Sequence, residues 1–197
     1  MRYLLVLALF AAPMAYAAFT LDDNGKSLTV LDNGKPVLVY HYTMVTPPPK
    51  VPESFTRTCY IHPLYGLDGE VLTEDFPKDH YHHRGVFWAW PTSSIGAKEI
   101  NVWEMKQSRQ HHEKFLAKNA GDTAEIAVQN AWTFDDAPAD AKIRETVRFV
   151  VRPAEGDTRA IDFEIKVENV SDKDFTMRGA TTANKGYGGF CFRPDST

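Results

Sequence analysis

What is scarce in this chain of 197 residues narrows its class before any motif is read. Beyond residue 17 no apolar run approaches the roughly 20 residues that a membrane-spanning helix needs, so no bilayer span is expected there. An excess of basic residues is missing as well. Lys and Arg number 22 against 26 Asp and Glu, a net charge of -4, and they form no basic stripe. That excludes the electrostatic footprint of a nucleic-acid binder, and nucleic acid is not expected as a partner. Helix signals are poor: Glu104–Lys118 lacks Gly and Pro, but its Met105, Phe115 and Leu116 make no stripe, and no long helix is expected. Cysteine is limited to Cys59 and Cys191, far apart in the sequence. A bridge between them would contribute about 4 to 5 kcal/mol through loop closure, and two buried free thiols are the alternative.

The first residues have the order of an export signal. Met1-Arg2 is followed by an apolar run from Tyr3 to Met14 and by Ala15-Tyr16-Ala17, the small-x-small pattern that signal peptidase accepts. Cleavage is expected after Ala17, giving residues 1–17 as signal peptide and 18–197 as one β-sandwich domain. The mature protein is expected in a periplasm or outside the cell, with no membrane attachment. About 180 residues suit one domain with a sizeable core.

The remaining pattern is that of strands. Ser27–Leu31 and Pro36–Tyr42 flank Asp32-Asn33-Gly34-Lys35, and Asn-Gly supplies the positive φ angles of a tight hairpin. The proline-rich segment 47–52 lacks N–H donors and reads as an extended connector. Further on, Ile126, Val128, Trp132 and Phe134, then Val147, Phe149 and Val151, then Ile161, Phe163, Ile165 and Val167 recur with a period of two. These three segments predict an antiparallel meander with one wet face. One-sided strands need a second sheet over their apolar faces, so the fold class is all-β, an antiparallel β-sandwich. Lys185–Arg193 begins another glycine-flanked strand.

Chemistry concentrates between Cys59 and Glu104, where His62, His80, His82 and His83 lie among Trp88, Trp90, Tyr65 and Tyr81. In an extended chain His80 and His82 point one way and His83 the other, so two imidazoles converge on one ion or one substrate. A transition metal is a candidate cofactor, with His80, His82 and His62 as ligands and Glu104 able to complete the set; imidazole suits zinc, copper, nickel or iron alike. Without a metal, a histidine near neutrality moves protons, and Glu74, Asp75 and Asp79 are carboxylates able to orient it. Trp88, Trp90 and Trp103 offer flat faces to a sugar ring, or else fill a core. His111-His112 reads as a solvated face.

Together, His62-Pro63-Leu64-Tyr65, Leu72–Pro77, His80–Gly85, Trp88-Ala89-Trp90, Trp103-Glu104 and Gly186-Tyr187-Gly188-Gly189 resemble the family catalogued as "methane oxygenase PmoA". The resemblance implies a galactose-mutarotase-like supersandwich, and a chain shortened at its C-terminus relative to that family. It does not imply the membrane-embedded monooxygenase subunit, since this chain has no span after its leader and cleavage would expose Ala18 rather than a histidine. Three functions are therefore expected candidates. The first is a carbohydrate-acting or carbohydrate-binding domain taking a small molecule or oligosaccharide, with epimerase, lyase or hydrolase-like chemistry. In it His82, His83, Arg84 and Glu74 are catalytic, Arg84 holding an oxygen or carboxylate, and His62, Tyr65, Trp88, Trp90 and Trp103 bind substrate. The second is a copper, zinc or iron oxidoreductase; the third is a non-catalytic structural or binding module.

Overall fold

The computed structural model describes residues 19–182 and 185–196. The expected signal peptide and its cleavage point lie outside the described residues. Among these, no helix is long and apolar enough to cross a membrane.

Two antiparallel sheets carry the fold. The first has the order β1 (Phe19–Asp23), β2 (Ser27–Asp32), β3 (Lys35–His41), β4 (Tyr60–Leu64), β5 (Val86–Ala89) and β13 (Gly189–Phe192). The second runs β11 (Thr158–Asn169), β10 (Ile143–Glu155), β9 (Ala124–Phe134), β8 (Ser108–Ala120). A small third sheet joins β12 (Phe175–Arg178), β6 (Thr92–Ile95) and β7 (Lys98–Glu99).

The β2–β3 hairpin turns on Asn33 (φ 49°) and Gly34 (φ 80°), as the sequence predicts. The meander is present too: Val147, Phe149 and Val151 of β10 stand opposite Ile165, Phe163 and Ile161 of β11, and β9 lies on the other side of β10. Period-two burial then puts one apolar row of each sheet face to face. Leu28, Val30, Leu38, Tyr40, Ile61, Val86 and Trp88 of the first sheet meet Ile126, Val128, Val147, Phe149 and Val151 of the second. Each such large side chain contributes about 1.5 to 3 kcal/mol by leaving water.

β5 is buried on both faces because a second core lies behind it. There Tyr60, Phe87 and Ala89 pack with Ile95, Ile100, Val102, Trp103, Trp132, Phe134 and Ile143. The two cores take the two faces of this strand, and the expected tryptophan pair is divided. Trp88 is fully buried in the first core, while Trp90 leans half-buried on Trp132 beside the second. Gly85 allows the close approach behind this arrangement. At φ +54° a Cβ there would stand 2.1 Å from the Ile61 carbonyl oxygen.

Two open readings are decided and one expectation changes. Most of Glu104–Lys118, where no long helix is expected, falls in the long strand β8 (Ser108–Ala120); its inward positions include Ser108 and Gln110, so no apolar alternation marks it. Cys59 and Cys191 are free thiols. His112 is half-buried in a ring cluster with Tyr42 and Phe115 rather than on a solvated face.

Candidate functional site

Residues 77–83 form two successive turns rather than an extended strand. The His80 amide donates to the Pro77 carbonyl (3.0 Å) and the His83 amide to the His80 carbonyl (2.9 Å). A turn of this span brings its first and fourth residues side by side. His80 and His83 accordingly stack, with centroids 4.8 Å apart and planes at 9°. His82 stands edge-on to both, at 5.6 Å from His80 and 4.6 Å from His83. The expectation that His83 points away from His80 is thus overturned by the turn.

The loop is pinned from two directions. Asp79 bonds His80 Nδ1 (2.9 Å), and Arg193, just past β13, donates to Asp79 (2.8 Å) and to Glu74 (3.2 Å). The bond from His80, then that from Arg193, lowers the pKa of the Asp79 carboxyl to about 2. Behind the imidazoles lies Trp103, whose ring is 5.9 Å from His82, 5.6 Å from His83, 5.2 Å from Phe87 and 5.4 Å from Tyr187. Trp103 is 5% exposed and Tyr187 47%.

Burial lowers the pKa of His82 to about 4, against an upward pull from the Glu104 carboxylate; His80 and Arg57 add to the lowering. Burial, then His82 and His80, brings His83 to about 4 as well. Both imidazoles are neutral at pH 7. His82 and Glu104 share the wall of an open cleft of about 400 Å³, with Phe55, Met105, Lys106, Gln107, Arg109 and Asp135. The rim charges are paired there, Lys106 with Glu104 and Arg109 with Asp135.

The other expected site residues lie elsewhere. His62 does not join the three histidines: its Nδ1 is 3.0 Å from the Thr73 hydroxyl, and its pKa is lowered by burial while Asp75 raises it. The expected ligand set His80, His82 and His62 is therefore not brought together. Among the described residues no three His, Cys, Asp or Glu side chains are arranged to hold a metal ion. Arg84 is 0% exposed, paired with Asp75 and Tyr60 and donating to the Phe55 carbonyl (3.2 Å). Its guanidinium also lies over the Phe76 ring. Arg84 is thus enclosed, with an internal carboxylate where a substrate group was expected. Glu74 is engaged by Arg193, and Tyr65 lines a different cleft with Asp68, Glu70 and Arg159. Trp88 offers no face to a ligand, because its ring is in the core and its indole N–H donates to Glu145 (2.7 Å).

Glu145 itself was missed. It is 0% exposed and receives hydrogen bonds from Trp88 (2.7 Å), Asn130 (2.8 Å), Trp132 (2.8 Å) and Gln110 (3.2 Å). Burial pushes its pKa up, and these donors oppose the rise. A protonated carboxyl would need an acceptor, yet the indoles only donate, the Gln110 oxygen accepts from Arg57 and the Asn130 oxygen from Tyr40. The donor shell therefore fits the carboxylate form. The signal was legible: Asn130 falls in the apolar row of β9, and Glu145 between Ile143 and Val147 in that of β10.

Fold and site together define an antiparallel β-sandwich with a histidine- and tryptophan-backed cleft at one end of its second core. The chain belongs to a family of unknown function (DUF6807), which matches residues 27–197 and so includes every side chain of the site. No curated protein and no solved structure matches the chain.

Proposed function

We propose that this domain binds a carbohydrate in the cleft shared by His82 and Glu104, and acts on it by proton abstraction. The observation that carries the reading is a neutral, half-buried imidazole next to a carboxylate in an open cleft. A neutral His82 accepts a proton from a sugar hydroxyl or an acidic C–H, and Glu104 favours the imidazolium that results. The half-exposed Tyr187 ring rests on Trp103, the same indole that packs against His82 and His83, and offers a flat apolar face. Chemistry of this kind is epimerase-like or lyase-like. A leader-like N-terminus supports action outside the cytoplasm.

Titration calorimetry against neutral aldoses, uronates and short oligosaccharides tests the reading. Binding by the intact chain should weaken about tenfold in His82→Gln and in Glu104→Gln, as for loss of a charge-assisted hydrogen bond. Solvent deuterium should enter the bound sugar only with His82 present. Absence of binding across the series would overturn the proposal. The second reading, a metal-dependent oxidoreductase, finds no three-ligand set among the described residues. One equivalent of metal in the purified protein, lost in His82→Ala, would favour it instead.

A further inference from the structure

Arg57 lies beneath the cleft, 2% exposed, and its guanidinium faces two ways. On one side Nη1 donates to the carbonyl oxygens of His82 (3.2 Å) and Trp103 (3.5 Å). One side chain thereby ties the turn that carries the imidazoles to the loop that carries Trp103 and Glu104. On the other side Nη2 donates to Oε1 of Gln110 (3.2 Å). The amide nitrogen of Gln110 donates in turn to the Trp88 carbonyl (3.2 Å) and to Glu145 (3.2 Å). The chain of contacts therefore runs from a carboxylate in the middle of the sandwich to both loops of the cleft.

The charges follow the same path. Among the described residues no carboxylate forms an ion pair with Arg57, and Glu145 acts on it across Gln110. Burial lowers the Arg57 pKa to about 10, which leaves it charged at pH 7. A planar guanidinium held through both terminal nitrogens has one orientation, so the carbonyls it grips are fixed relative to each other. A lysine ammonium in its place would supply the charge without the fork.

We infer that Arg57 is the positioning residue that sets His82 against Trp103 and Glu104, and that Gln110 and Glu145 orient Arg57 from the core. What the cleft binds rests on the function proposed above; the positioning is a property of the fold and is tested separately. Heteronuclear NMR of the intact chain compares wild type with Arg57→Lys and Gln110→Met. Gln110 bonds to neither loop. The expected result is that Gln110→Met nonetheless shifts the resonances of His82, His83, Trp103 and Glu104, while β1 and β2 keep theirs. Arg57→Lys should shift the same set further, and sugar affinity should fall about tenfold in it, as for a displaced contact. If either folded variant loses thermal stability while these four residues keep their wild-type resonances, Arg57 is merely structural and the inference is overturned. If the wild type binds no sugar, the proposed function fails and the resonances still decide the positioning.

Discussion

Two polar clusters in this molecule contrast in how they meet water. Around Glu145 the donors of four side chains surround one carboxylate, and all of it is enclosed between the sheets. Around His82 the rings are half-buried, two imidazoles are held neutral, and a cleft opens beside them. The first cluster is closed to ligands, and one carboxylate ties side chains of β5, β8, β9 and β10 together. The second retains unused donor and acceptor capacity at the surface. Burial alone does not mark a functional site; burial with an open side does.

The contrast breaks most sharply at Glu145. Replacing it with Ala leaves two indoles and the amides of Asn130 and Gln110 without this acceptor, and should cost about 3 to 5 kcal/mol in denaturant unfolding. Removing a single donor is milder. Trp132→Phe keeps most of the ring volume but loses one bond to a charged acceptor, and should cost about 1.5 to 3 kcal/mol by the same measurement. His82→Gln belongs to the open cluster, so its unfolding free energy should stay within about 1 kcal/mol of wild type while sugar binding suffers.

A further effect separates the clusters by pH. His82 and His83 have folded values of about 4 against 6.5 for the ordinary side chain. Between these values the unfolded chain binds more protons, so their contribution is complete above pH 6.5 and is lost as pH falls toward 4. The melting temperature of wild type should therefore drop faster over that window than that of a His82→Gln, His83→Gln double variant. Parallel curves would remove the neutral-imidazole argument.

Much of the frame was legible from residues alone. Asn33-Gly34 announced its hairpin, and the rows Val147-Phe149-Val151 and Ile161-Phe163-Ile165 gave a correct antiparallel pairing. β8 was not, because Gln110 and Ser108 face inward and period-two hydrophobicity vanishes. In the site, His80, His82, His83 and Trp103 stood out by segment composition, and the structure brings their rings together. Their geometry depended on turns at Pro77 and His80 that an extended reading reversed. Arg84 and Trp88 looked equally functional in sequence, yet Asp75 and Glu145 engage them internally. Such long-range pairings leave no local pattern to read.

The most direct test is a chemical-shift map of the isotopically labelled chain titrated with the tightest-binding sugar. Movement is expected at His82, His83, Glu104 and Tyr187, with the indole N–H signals of Trp88 and Trp132 unmoved. Shifts gathered instead around Tyr65 and Arg159, or none at saturating sugar, would contradict the proposed site.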